Sequence, residues 1–318
     1  MPLTRGTMRA ISMGAHDRPE ATAKAKGGLA WLERWLPKMV LAPTFVMMLV
    51  FIYGYIIWTA VLSMTNSRFL PSYDFVGLLQ YEKLFENDRW LVACTNLGVF
   101  GGLFILVCLA LGVFLAILLD QKIRQEGAIR TIYLYPMALS FIVTGTAWKW
   151  MLNPGLGLEK VVRDMGFESF TFDWIVDPDM AIYTLVIAAV WQSSGFVMAM
   201  FLAGLRGIDS SIIQAAQIDG ASMPKIYRRI ILPSLRPVFF SAFIILSHIA
   251  IKSFDLVAAM TGGGPGYSTD LPATFMYAHS FTRSQIGLGS ASAMLMLGGV
   301  LAILIPYLYS ELRGSRNG

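Results

Sequence analysis

Charged residues fall along this chain in clusters. Between them lie six stretches that carry none: 39–67, 90–119, 131–148, 180–205, 237–251 and 284–310. The third stays apolar past Lys149 to Leu152, and the fifth continues past Lys252 and Asp255 through Leu256–Met260. A helix rises about 1.5 Å per residue, so crossing a hydrocarbon core about 30 Å thick takes roughly 20 apolar residues. Lipid offers no partner to a bare peptide group, so each crossing must be helical. The pattern predicts an all-α membrane protein with six transmembrane helices, near 39–64, 94–119, 131–152, 180–205, 237–260 and 287–310. The fifth is the least regular, because two charges sit near one end.

Composition agrees. Of the 318 residues 56% are hydrophobic and 14% charged, against about 25% charged in a soluble domain. The net charge of +5 makes no nucleic-acid surface, because the basic residues sit in short connectors between apolar runs. Those connectors orient the chain. With six crossings, the N-terminus, 120–130, 206–236 and the C-terminus share one side and hold 17 Lys and Arg; the connectors of the other side hold 6. Positive connectors stay inside, which places both termini in the cytoplasm.

Residues 1–34 read as a small, polar, mildly basic cytoplasmic tail, disordered over 1–30. The membrane domain is 35–313, and 314–318 is a C-terminal tail. The first apolar run is about 26 residues long and no small-residue cleavage pattern follows it, which favours a retained anchor over a cleaved signal peptide. Cys94 and Cys108, at the edge of an apolar run and inside it, read as ordinary membrane-helix residues.

The connector 206–236 has a pattern of its own. Asp209, Ser210 or Ser211 can cap a short helix through Ile212–Gln217. Gly220 permits a tight reversal. Ser222 can cap a second helix with Pro224 in its first turn, and Pro233 and Pro237 bend the chain into the next span. The result is a helix–turn–helix elbow on the cytoplasmic face, with small residues at Ala215, Ala216, Gly220 and Ala221. Residue types leave two readings open. The basic face of Lys225, Arg228, Arg229 and Arg236 can meet anionic headgroups, or the elbow can dock in a groove of a soluble motor subunit.

The run Gln214-Ala215-Ala216-Gln217-Ile218-Asp219-Gly220-Ala221, followed by Ile230, Leu232-Pro233 and Pro237, resembles the EAA loop of binding-protein-dependent ABC importers. Phe254-Asp255, then Thr261-Gly262-Gly263-Gly264-Pro265-Gly266, then Gly287-Leu288-Gly289-Ser290-Ala291 resemble the fifth-span end and outer loop of sugar permeases of the maltose-permease type. The similarity covers about residues 35–313 and is greatest to glucose/mannose permease subunits. It implies the ABC importer type I permease fold, multi-pass in a bacterial inner membrane. It implies a second permease, a different chain by the family's habit, a dimer of ATPase subunits that use ATP and Mg, and a periplasmic sugar-binding protein. No cofactor is implied for this chain. The ATPase-coupling residues implied are Gln214, Ala215, Ala216, Asp219, Gly220, Ala221, Leu232 and Pro233. Two positions depart from the motif: its first acid is Gln214 here, and its usual Phe is Tyr227. Gln keeps hydrogen bonding but brings no charge, which points to a companion permease whose own loop keeps the acid.

No GxxxxGK[ST] phosphate loop is present; the run Thr261–Gly266 lacks the following Lys, contains Pro265 and reads as a turn-rich outer loop. No nucleophile–base pair and no His/Cys cluster appears, so neither catalytic nor metal residues are expected, and the lone His248 and His279 read as structural. The chain is expected to be a transport subunit, not an enzyme.

A sugar path through lipid needs hydrogen-bonding groups beside aromatic rings, and polar groups inside spans are costly enough to mark pathways. Two segments qualify: Trp191–Phe196, and the stretch with His248, Lys252, Ser253 and Asp255. Alignment outward from the loop to the maltose permease places Gln192, Ser193, Phe196 and Ser253 at contact-like positions, with the apolar Ala250 as an exception. Lys252 and Asp255 can instead form an i, i+3 ion pair at the membrane edge. The expected function is the permease subunit of an ATP-driven importer of a glucose/mannose-type monosaccharide. The alternative is an ion-gradient-driven secondary sugar transporter, which inverted repeats and buried midplane acids would mark.

Overall fold

The computed structural model describes residues 25–121 and 123–314. Residues 1–24 and 315–318, with the expectations that fall on them, lie outside the described residues. Among the described residues the regular elements are helices, joined by turns and loops, with one isolated bridge between Thr65 and Phe75. The chain divides into two compact units, 1–57 and 58–318.

The first unit is a helical rod. Helix α1 (Ala25–Met48) passes through a wider π-helical turn, Leu49–Tyr53, into α2 (Gly54–Ser63), whose last residues belong to the second unit. The rod begins at Ala25, inside the stretch read from sequence as a disordered tail. Its apolar side chains are exposed, Val40 at 68%, as suits a helix with lipid for solvent.

The second unit continues with α3 (Leu79–Phe85) and the long α4 (Asp88–Leu119). Asn87 caps α4 by accepting from the backbone N–H groups of Arg89 and Trp90, so α4 starts ahead of the apolar run. Then come α5 (Glu126–Leu134), α6 (Phe141–Met151), α7 (Leu158–Asp164) and the central α8 (Ala181–Arg206). The elbow holds α9 (Ser210–Ile218), α10 (Met223–Ile226) and α11 (Leu232–Ser234). After it run α12 (Arg236–Ile251), α13 (Asp255–Met260), α14 (Pro272–Tyr277) and α15 (Ile286–Gly314).

Among the described residues four helices are long and apolar enough to cross a membrane: Trp35–Ser63, Asp88–Leu119, Ala181–Arg206 and Ile286–Tyr309. Two bent pairs bring the number to six if each is one crossing. Glu126–Ala138 meets Phe141–Met151 at 99°, and Met223–Ser234 meets Arg236–Ile251 at 59°. The first bend is absent from the apolar pattern and has local causes. Pro136, which has no N–H to give, sits in a 3₁₀ turn, and Leu139 after it is extended. Ser140 then restarts the helix by accepting from the Val143 N–H at 3.3 Å.

The core is α8 packed on α4. The most apolar stretch of α8 is 72% buried, against 28% for that of α4. Gly112 brings the two together; a Cβ there would meet Val197 Cγ1 at 2.5 Å. Phe100 and Phe104 stack at 5.7 Å on α4, and Phe201 of α8 meets Phe239 of α12 at 4.5 Å. In lipid such seams are held by van der Waals packing, since leaving the bilayer's apolar medium gains nothing.

At the end opposite the elbow, the glycine-rich loop is a built structure. The Thr261 and Thr269 hydroxyls bond at 2.7 Å, and Thr269 donates to the Gly264 carbonyl at 2.8 Å. The loop is pinned to the start of α4 by an ion pair between Arg89 and Asp270, the latter 1% exposed. Thr274 also donates to that carboxylate. Asn96 donates to the carbonyls of Tyr267 at 3.1 Å and Asp270 at 3.0 Å, and the Arg89 guanidinium lies 4.7 Å from the Tyr267 ring centre. Behind this pair His279 stacks on Phe275 at 4.1 Å. Burial, with Arg283 and Arg89 nearby, pushes its imidazole below the usual pKa, opposed by its bond to Gln285.

Breaking a buried pair from one side strands a charge and costs about 3–5 kcal/mol, whereas replacing both partners with apolar groups is often neutral. Asp270→Ala should therefore lower the thermal unfolding midpoint of the purified complex clearly, and Arg89→Leu/Asp270→Leu should recover most of the loss. Equal midpoints for Asp270→Ala and the wild type would contradict this role.

Candidate coupling elbow and substrate path

The elbow begins at Asp209, which is extended and caps α9 by accepting from the Ser211 N–H at 2.8 Å. That bond holds its carboxyl below the usual carboxylate pKa. On α9, Ile213 and Ala216 pack onto the core, while Gln214, Ala215, Ile218 and Asp219 face outward. Ile218, at 87%, is the most exposed large apolar side chain described. Gly220 takes a φ of +77°, which a residue with a Cβ adopts at a cost, and the Ala221 N–H closes the turn on the Ala216 carbonyl at 3.0 Å. After α10 a π-helical turn, Tyr227–Ile231, leads into α11.

The eight residues expected to couple thus share one structure and divide in two. Gln214, Ala215, Asp219 and Gly220 are exposed; Ala216, Ala221, Leu232 and Pro233 are half-buried. The elbow is anchored by the buried Ile226, Ile231 and Leu235. Two polar ties reach its root. Gln121 at the end of α4 donates to the Tyr227 hydroxyl at 3.2 Å. Arg206 pairs with Glu126 at 2.8 Å, and Glu126 with Arg130 at 3.4 Å. The root of the elbow is therefore in contact with the ends of α4, α5 and α8.

The residues expected to line the path are placed less uniformly. Gln192 is buried and donates to the Leu139 carbonyl at 2.8 Å, at the sharp bend between α5 and α6. Ser193 and Ser194 are buried beside it. Gly195 lies against the same segment, where a Cβ would collide with the Tyr133 carbonyl oxygen. Phe196 packs half-buried on the core. On the other segment Ser253 is buried, while Lys252 and Asp255 are exposed. Lys252 caps the end of α12, and Asp255 opens α13. Among the described residues no ion pair joins them: the chain turns between the two helices, so the regular i, i+3 spacing that would bring them together is lost.

Residues 108–313 match the family described as binding-protein-dependent transport system inner membrane component. The chain belongs to that family. A probable ABC transporter permease protein of Pyrococcus horikoshii is 40% identical over 88% of this chain and 96% of its own length. A xylose/arabinose import permease protein of Haloferax volcanii is 36% identical over 94% and 98%. A trehalose/maltose transport system permease protein of Thermococcus litoralis is 30% identical over 88% and 95%. Among solved structures, a chain of a bacterial ABC transporter involved in the import of the acidic polysaccharide alginate superposes with a TM-score of 0.77, covering 90% of this chain and 98% of that one at 20% identity. That likeness establishes the ABC importer permease fold. As a permease subunit, the protein is a transport component and not an enzyme.

Sequence reading missed the polar ties of this permease. Arg89 and Asp270 stand 181 residues apart, and Gln121 and Tyr227 stand 106 apart; no local pattern links such pairs. The buried amide of Gln192 was visible as polar, but its partner, a main-chain carbonyl freed at a bend, was not.

Leucine at 192 would leave that carbonyl unsatisfied in an apolar surround, at about 1–3 kcal/mol. Gln192→Leu should lower the unfolding midpoint of the purified complex, and Gln192→Glu, whose protonated form can still donate, should lower it less. A midpoint unchanged in Gln192→Leu would show that the bend does not depend on this bond.

Proposed function

We propose that this permease is one membrane subunit of an ATP-driven sugar importer in the cytoplasmic (inner) membrane, with both termini and the elbow on the cytoplasmic side. The observation that carries this reading is the elbow itself: rigidly rooted in the core, yet projecting Ala215, Ile218 and Asp219 outward. An exposed apolar knob flanked by small residues suits a groove on another protein better than water. A pair of ATPase subunits using ATP and Mg would close beneath two such elbows, one from this chain and one from a second permease, which the loss of the motif acid at Gln214 suggests is a different chain. Movement of the elbows would rock the helices and open the path alternately to each side. A periplasmic binding protein would deliver the sugar to the end opposite the elbow.

The sugar itself follows from resemblance and from relatives. The former favours a glucose- or mannose-type monosaccharide; the relatives are named for xylose/arabinose and trehalose/maltose. For the path we assign substrate contact to Ser253, Lys252, Asp255 and Phe196, and to Gln192 and Ser193 the further work of holding the bend that shapes it. Lys252 and Asp255 are exposed beside a helix break and can meet a sugar as the break moves, whereas the buried Ser253 and the half-buried Phe196 reach it only when the helices shift. The Gln192 amide is committed to main chain through its N–H, and its buried Oε1 keeps an acceptor without a protein partner among the described residues.

The test is uptake of radiolabelled glucose, mannose, xylose and maltose by native cells, before and after ATP is depleted with the membrane potential maintained. The importer reading predicts that uptake of at least one sugar stops with ATP; uptake that persists would favour an ion-gradient carrier. Gly220→Glu adds a side chain at a positive φ and an unpaired charge within the docking surface, so it should cut uptake at least about tenfold while the chain still reaches the membrane. Normal uptake in Gly220→Glu cells would remove the elbow from the coupling route.

A further inference from the structure

At the end of the bundle opposite the elbow, between the end of α14 and the start of α15, lies a cleft of about 460 Å³. Its lining includes four hydroxyl side chains, Thr59, Ser280, Ser284 and Ser290, and two phenyl rings, Phe69 and Phe281, and it carries no charged side chain. Ser284 has a φ of 55°, and no other non-glycine residue described has a positive φ. Such strain concentrates at binding and switch sites. Here it is held by flanking main-chain bonds: Arg283 N–H to the Ala278 carbonyl and Gln285 N–H to the His279 carbonyl, both 2.8 Å. The Ser280 hydroxyl donates to the Met276 sulfur at 3.8 Å, a weak acceptor.

The cleft does not end on itself. Phe281, 71% exposed, stands 5.1 Å from the Tyr277 ring, and Tyr277 stands 4.6 Å from the Phe254 ring. Phe254 lies in sequence between Ser253 and Asp255, at the break between α12 and α13. A continuous row of three rings therefore joins a hydroxyl-lined cleft to the residues assigned above to the substrate path.

We propose that this cleft and the Phe281–Tyr277–Phe254 row form an outer access site that takes an uncharged sugar and passes it to the α12/α13 break. Hydroxyl side chains act both as donors and as acceptors, as sugar hydroxyls do. The rings offer apolar faces to the sugar's C–H faces, and graded stacking on successive rings lets a ligand advance without complete loss of contact. A lining without charge selects against anionic ligands, whose desolvation nothing there would offset. This site rests on the sugar-importer reading and adds to it a location and a preference for neutral ligands.

The test is saturation-transfer NMR on the complete purified transporter in nanodiscs, without binding protein. The probes are glucose, mannose, xylose and maltose, and the aromatic protons are irradiated. The wild type should transfer saturation to the C–H protons of a sugar that the same preparation imports with ATP when the binding protein is added. Phe281→Leu and Tyr277→Leu keep apolar bulk but lose the ring, and should weaken the titrated affinity roughly three- to tenfold, as expected for one stacking contact. Phe281→Tyr should bind as the wild type does. Unchanged affinity in both Leu variants would overturn the proposal and show the rings to be interfacial anchors. So would a wild type that imports a sugar but transfers no saturation to it. A preparation that imports none of the four sugars with ATP would instead overturn the importer reading beneath it.

Discussion

Every peptide group inside a hydrocarbon layer must find its hydrogen-bond partner within the protein, and the structure of this permease follows from how that demand is met. Where the chain can stay helical the demand is met locally, which is why the charge-free runs become rods. Where it cannot, a side chain must stand in. At the bend after Pro136 the helix stops and the Leu139 carbonyl loses its regular partner; the Gln192 amide supplies one from the central helix at 2.8 Å. Gly195, one turn away, lets the two backbones come that close. A polar residue at the centre of the most buried helix is thus part of the scaffold, and the sharp turn it supports gives the bundle its irregular interior.

The same reasoning applies at each end. On one side the buried Asp270 carboxylate is tolerable because Arg89 and Thr274 meet it, and their bonds fix a loop otherwise rich in positive-φ glycines. On the other side the elbow is attached by buried aliphatic residues and by the Gln121–Tyr227 and Arg206–Glu126 contacts. A hinge with a soft root would absorb a push; this root is tied by side-chain contacts to three helices. The Ile218 face is the part of the elbow that the chain itself leaves exposed.

How much of this was legible in the sequence depended on whether the signal was local. Four of the six apolar runs, the Asp209 cap, the reversal at Gly220 and the small-residue face of α9 are short-range features, and each corresponds to a feature of the structure. The motif around Gln214–Ala221 led to the family. The 99° bend was not legible, because 131–148 is uniformly apolar and Pro136 alone does not say whether a helix kinks or stops. The partnering of Gln192, Arg89 and Tyr227 was not legible either, since each partner lies far along the chain. The expected Lys252–Asp255 pair failed for a geometric reason: helical spacing holds only within one helix, and these residues belong to two.

The central claim is that the elbow is a handle gripped by a separate ATPase. Its most direct measurement is a photo-crosslinking amino acid placed at Ile218 in native membranes, with adducts identified by mass spectrometry with and without ATP trapped by vanadate. The account predicts an adduct with a nucleotide-binding ATPase subunit whose yield changes on trapping. Adducts with lipid alone, in both nucleotide states and in membranes that contain the ATPase, would contradict it.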